Sequence, residues 1–183
     1  MAVSKMVNLA MRGFQLSLMT GDQLLWTVLI MSLAGNMIHN AFAGNPSIVN
    51  YDMFVSIFAL LSLFYLIAGT VNEGFSGHPM IMIGVDLLNT LFFFCGAIAT
   101  STKLGVHSCG RADYTLHNSV TNGAHDTTKR CHEAQAVAAF LWFGFVAFAA
   151  STVLSGLQSR GSGGMNMRGG MGGIRRGPAM SQV

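Results

Sequence analysis

Four long stretches of this chain contain almost no charge, and they constrain the fold more than any other feature. The stretches 24–43 and 53–71 hold no Asp, Glu, Lys or Arg, 80–102 holds the single charge Asp86, and 134–157 holds none. A bilayer core about 30 Å thick is crossed by ~20 apolar residues of helix. One such run would fit a buried soluble helix. Four in 183 residues predict an all-α, four-helix transmembrane bundle. Only 9% of the residues are charged, against roughly 25% in an ordinary soluble domain, so a water-facing skin is out of reach.

Residues 1–158 are therefore read as one four-span membrane domain, and 159–183 as a basic Gly/Met/Arg-rich tail. The tail has no periodicity that would bury a face, which predicts disorder. The net charge of +3 comes mainly from Lys5, Arg12, Arg160, Arg168, Arg175 and Arg176. With an even number of spans these lie on one side of the membrane, and the positive-inside rule makes that side cytoplasmic. Arg160, Arg168, Arg175 and Arg176 are candidate contacts for anionic lipid. Nucleic-acid binding is disfavoured, since no aromatic platform accompanies the arginines. The loop 103–133 then faces outside, although it also carries Lys103, Arg111, Lys129 and Arg130.

The start of the chain admits three readings. Val7, Met11, Phe14 and Leu18 share a helical face, which suits an interfacial helix. The same segment could open the first span, with a break at Thr20-Gly21-Asp22-Gln23. Ala41-Phe42-Ala43 has the form of a signal-peptidase site, but the apolar region before it is too long for a signal peptide. At the other end, Ser181-Gln182-Val183 has the form of a carboxylate motif taken by strand-adding domains, a match that short sequences reach by chance.

Cys109 and Cys131 flank the outer loop, where oxidising conditions favour a disulfide; two free thiols are the alternative if the loop is cytosolic. Cys95, in mid-span, reads as a small buried apolar residue. His107, His117, His125 and His132 lie in or beside the same loop, but no two have the close spacing of structural zinc ligands, so no metal or other cofactor is expected. Neither Asn45-Pro46-Ser47 nor Asn118-Ser119-Val120 is a glycosylation acceptor. Asp86, Asn89 and Thr90 share one face of span three. Because spans one and three run the same way, they are expected to meet the polar stripe Ser32, Asn36 and His39. The resulting cluster of Asp86, Asn89, Asn36 and His39 is either a lipid-headgroup or proton-linked site or a polar clamp. In span four, Gly144, Ala147, Ser151 and Ser155 form a small-residue seam for close helix packing, inside the bundle or between copies. Trp142, Val146 and Val153 lie opposite. Asp86 alone is no catalytic constellation, and no nucleophile, base and partner come together in the sequence.

His107-Ser108-Cys109, Lys129-Arg130-Cys131 and Glu133-Ala134-Gln135-Ala136 run into the aromatic helix start Ala139-Phe140-Leu141-Trp142-Phe143. With Asp86-x-x-Asn89-Thr90 and the final Ser181-Gln182-Val183, the chain resembles the fungal non-classical export protein family from about Met11 to its end. That resemblance implies a MARVEL-like tetraspan plasma-membrane protein without enzymatic activity. It further implies association with eisosomes and their coat proteins, a response to sphingolipid, and a link to export of proteins lacking signal peptides. The family start runs almost directly into the first span, whereas here 17–23 intervene. A small channel or transporter with a polar path between spans one and three is the rival reading, and it lacks the paired Gly/Pro interruptions that such folds carry.

Overall fold

A computed structural model describes residues 2–42, 44–71 and 79–166, with side chains described over 20–42, 44–68 and 81–157. Five helices follow in order: α1 (Ala2–His39), α2 (Ser47–Val71), α3 (Pro79–Leu104), the short α4 (Ala112–His117) and α5 (Thr127–Asn166). Among the described residues the only extended pairing is a single bridge between Ala41 and Ala124.

Local chemistry sets the helix limits. Pro79 occupies the first position of α3, where its fixed φ suits the turn and its missing N–H is not needed. Gly105, at φ 61°, takes the left-handed conformation just past the end of α3, and its N–H donates to the Ser101 carbonyl, closing the helix as glycine does at that position. At the start of α5, Asp126 Oδ1 accepts the Lys129 N–H at 2.8 Å, an N-terminal cap.

These signals lengthen the predicted spans. α2 begins at Ser47 and α5 at Thr127, each about two turns ahead of the uncharged stretch inside it. α1 runs unbroken through 20–23, so the break that one reading of the start allowed is absent: Gly21 has open space around it and sits in regular helix. α5 continues to Asn166, past the predicted tail boundary at 159, while residues 167–183 lie outside the described residues.

The four long helices form a ring in which α1 packs on α2, α2 on α3, α3 on α5 and α5 on α1. All four contacts are between antiparallel neighbours. Gln23 donates to the Ala147 carbonyl and Arg130 to the Met37 carbonyl, so α1 follows α5 for roughly 14 residues, about 21 Å. Tyr51 bonds Phe92 and Asp52 bonds Thr100 between α2 and α3. Ser151 bonds Asp86 and Trp142 bonds Ser101 between α3 and α5.

Inside the ring lie Ile30, Ala34 and Met37 of α1, Val55, Ala59 and Leu63 of α2, Phe93 and Ala97 of α3, and Val137, Leu141 and Phe148 of α5. The outer faces are apolar too, including Phe54, Leu61 and Phe64 of α2, Leu91 and Ile98 of α3, and Phe143, Val146 and Val153 of α5. A helix apolar on all sides belongs in a large core or a bilayer. Among the described residues three helices have the length and composition to cross a membrane, at Ser47–Ala68, Ile81–Leu104 and Thr127–Leu157.

Candidate functional site

The segment between α3 and α5 folds into a cap over one end of the bundle. Cys109 and Cys131 are joined in a disulfide with their Cα atoms 5.6 Å apart, which ties the segment to the first turns of α5. Its polar groups then satisfy helix ends that would otherwise hold unpaired carbonyls. Tyr114 Oη and Asn118 Nδ2 donate to the Leu104 and Lys103 carbonyls at the end of α3. Burial pushes the Tyr114 hydroxyl up from its ordinary pKa, in keeping with an O–H that stays a donor.

Arg130 is the keystone of this cap. It is 2% exposed; its Nε donates to the Val120 carbonyl at 2.8 Å, Nη1 to the Met37 carbonyl at 3.0 Å and Nη2 to Asn45 Oδ1 at 3.1 Å. One planar fork thus joins the end of α1, the α1–α2 loop and the cap, a geometry open to guanidinium and closed to a lysine ammonium. Beside it the Phe42 N–H donates to the Gly123 carbonyl. A side chain at Gly123 would meet the Gly44 carbonyl oxygen at 3.4 Å, so the two loops lie against each other there.

The expected cluster of Asp86, Asn89, Asn36 and His39 is split by the structure. Asn36 donates to Glu133 Oε1, which also faces Lys129 Nζ at 3.8 Å, all at the capped end; His39 is exposed there. Asp86 accepts from Ser151 Oγ at 3.0 Å. Glu133 and Ser151 are roughly 18 residues, and so about 27 Å, apart along α5. The reason is geometric. α1 and α3 do run the same way, but Asn36 lies near the end of α1 and Asp86 near the start of α3.

Asp86 instead belongs to a polar layer at the uncapped end. Thr90 and Thr152 share a hydrogen bond at 3.2 Å, Asn89 Nδ2 donates to the Val85 carbonyl, and Gln23 reaches the Ala147 carbonyl. Asp86 Oδ1, Asn89 Oδ1 and Thr27 Oγ1 are buried here without a hydrogen-bond partner.

The seam Gly144, Ala147 and Ser151 meets α3 and α1. A Cβ at Gly144 would stand 2.3 Å from the Phe93 ring, so the glycine is what lets that ring lie on α5. Ser155 is half-buried, one turn beyond Ser151. Trp142, Val146 and Val153 face outward. Cys95 is exposed on α3 rather than buried, which corrects the expectation for it. The side chain of Arg160 and all of Arg168, Arg175 and Arg176 lie outside the described residues.

Three residues escape the sequence reading. Asp52, 2% exposed, accepts from Thr100 Oγ1 at 2.9 Å; its place inside α2 was legible in Pro46-Ser47, a helix-start signal. Arg130 and Glu133, which the uncharged-stretch pattern leaves in the loop 103–133, sit in the first turns of α5. Here the signal was Asp126-Thr127, an N-cap before the apolar run.

Grooves open on the cap, one of about 550 Å³ lined by His107, Arg111, Asp113, Tyr114, His117 and Asn118. A second, of about 250 Å³, is lined by Asn40, His125, Lys129, Arg130 and Glu133 among others. His107 lies against the Tyr114 ring and His125 against Phe42. No group of three His, Cys, Asp or Glu placed to hold a metal occurs among the described residues.

Apolar outer faces, inward polar pairs and a disulfide-tied cap over one end define a polytopic membrane domain. Residues 6–154 match MARVEL, the membrane-associating domain. The chain belongs to that family, and it is homologous over most of its length to fungal non-classical export proteins. It is 28% identical over 144 residues to the non-classical export protein 2 homolog of Schizosaccharomyces pombe, covering 78% of this chain and 73% of that one. It is 32% identical over 157 residues to non-classical export protein 102 of Candida albicans, covering 85% and 90%. With non-classical export protein 2 of Saccharomyces cerevisiae the identity is 29% over 133 residues, covering 72% and 73%. No solved structure matches the chain.

Proposed function

We propose that the protein organises the plasma membrane, collecting in eisosome-type domains in response to sphingolipid or lipid packing and assisting non-classical protein export. One observation carries this reading: the outward-facing residues form a broad apolar and aromatic surface spread over α2, α3 and α5, while large apolar side chains are buried inside the ring. Phe93, Phe148, Leu141 and Leu63, each at most 1% exposed, occupy the level between the two polar ends. Such a body acts through its surface. Assistance to export is inferred from its similarity to non-classical export proteins.

In this reading α1 supplies the fourth span, supported by its run beside α5 from Gln23 to Met37. Both termini are cytoplasmic, and the disulfide cap stands outside, where a disulfide persists. Arg160, Arg168, Arg175 and Arg176 engage anionic lipid, each contributing about 1 kcal/mol near the surface. Self-association and eisosome coat proteins supply the assembly, and no step needs an enzyme. The channel reading loses its support because the stripes it joins lie at opposite ends of the bundle.

The test is the distribution of a fluorescently tagged chain in living cells before and after sphingolipid depletion. Patches at the cell surface that disperse or redistribute on depletion are expected. A uniform signal indifferent to depletion contradicts the proposal.

A further inference from the structure

The uncapped end of the bundle has more acceptors than donors. Asp86 is 4% exposed and Asn89 is fully buried. Ser151 supplies one donor to Asp86 Oδ2; Asp86 Oδ1 and Asn89 Oδ1 have none. The two residues lie three apart on α3, on one helical face. Among the described residues nothing cationic answers them; the side chains of Lys5 and Arg12 on α1 and of Arg160 on α5 lie outside those described. α5 carries no ionisable residue from Ala134 to Leu157. On α2 the titratable groups are Tyr51 and Asp52, at the capped end, and the half-buried Tyr65. On α1, Asp22 next to Gln23 is exposed. Glu73 and His78 lie outside the described residues. A buried carboxylate with one hydroxyl donor and no counter-charge is the costly form of this arrangement. A protonated carboxyl group is a donor as well as an acceptor. One hydrogen on Asp86 Oδ1 would serve that oxygen and Asn89 Oδ1 together; the third orphaned oxygen at this end, Thr27 Oγ1, is a hydroxyl that carries its own hydrogen.

We propose that Asp86 and Asn89 form a proton-binding site inside the membrane body, in which Asp86 is a neutral acid whose O–H donates to Asn89 Oδ1. The site joins no catalytic step and stands independently of the membrane-organising reading. Its loss of a proton is a simple ionisation: the O–H bond breaks, the proton passes to water, and the electron pair stays on Asp86. The carboxylate that results keeps Ser151 as its donor and leaves Asn89 Oδ1 without one. Asp86–Ser151 and Thr90–Thr152 are the polar ties between α3 and α5 at this end, so ionisation draws water into the seam and loosens it. The capped end, held by Arg130 and the disulfide, stays closed. The site is thereby a pH-responsive latch for one end of the bundle.

The measurement is infrared spectroscopy of the full chain in phosphatidylcholine vesicles at about pH 7, where ordinary carboxyl groups are ionised. The Asp52→Asn chain serves as background, because Asp52 is the other buried acid among the described residues. A protonated-carboxyl C=O band is expected there, lost on adding Asp86→Asn and shifted to higher frequency on adding Asn89→Leu. A band unchanged by Asp86→Asn, or no band at all, overturns the proposal. A band that emerges only when sodium is withdrawn assigns the site to a cation and overturns it equally. Should the double variants fail to insert, the background chain is followed as pH rises. Loss of the band together with faster amide exchange in α3 and α5 is expected, and loss of the band with unchanged exchange contradicts the latch.

Discussion

At the scale of single residues, Arg130 and Gly144 bear the most structure for their size. Arg130 holds three neutral acceptors from three separate segments, and each acceptor left buried and unpaired costs about 1–3 kcal/mol. Arg130→Met is expected to lower the unfolding free energy of the purified protein by at least about 3 kcal/mol. Arg130→Lys should recover little of that, because an ammonium cannot reproduce the fork; full recovery by lysine, read in thermal unfolding, would show that charge alone matters. Gly144→Ala places a methyl group inside the contact distance of the buried Phe93 ring. Overpacking of this kind costs about 1–3 kcal/mol, and pairing it with Phe93→Leu should restore much of the loss. Equal stability of wild type and Gly144→Ala would mean that the ring swings aside freely.

At the scale of elements, the disulfide closes a loop of 22 residues in sequence, which contributes about 3 kcal/mol through chain entropy. Reduction, or Cys109→Ser with Cys131→Ser, is expected to lower stability by that order and to expose the cap to protease while the helices persist. Thiol titration of the denatured chain should find one reactive group, Cys95, before reduction and three after it. Legibility followed the type of signal at this scale. The uncharged stretches marked α2, α3 and α5 because bilayer crossing demands apolar length, and the loop cysteines were marked as a pair. Apolar content alone places the helix starts too late, because the start signals Pro46-Ser47 and Asp126-Thr127 lie upstream of the uncharged stretches. On that pattern Asp52 and Arg130 fall in loops, whereas both lie inside helices. The cap was missed as a packed unit, since Val120, Thr121 and Ala124 are buried by contacts distant in sequence, which no local pattern records. Depth was lost for a similar reason. Direction of α1 and α3 follows from counting spans, but the level of Asn36 against Asp86 depends on where along each helix the residue lies.

At the scale of the whole molecule, the two ends of the bundle differ in kind. One is tied by a disulfide, a buried guanidinium and side chains that cap α1 and α3. The other is held by hydroxyls, a carboxamide and a carboxyl group. Large apolar side chains are buried between them and the outer faces are apolar, which supports the proposed role in arranging lipid and neighbouring protein. That role depends on the way the chain sits in the membrane. The most direct test is thiol accessibility in intact cells, in a Cys95→Ser chain where the remaining native cysteines are paired. A single cysteine is added either at Ser119 in the exposed part of the cap or at Ser4 near the amino terminus. A membrane-impermeant thiol reagent should label Ser119→Cys in intact cells and Ser4→Cys only after permeabilisation. Labelling of both positions in intact cells, or the reverse pattern, would contradict a four-span body capped on its outer face.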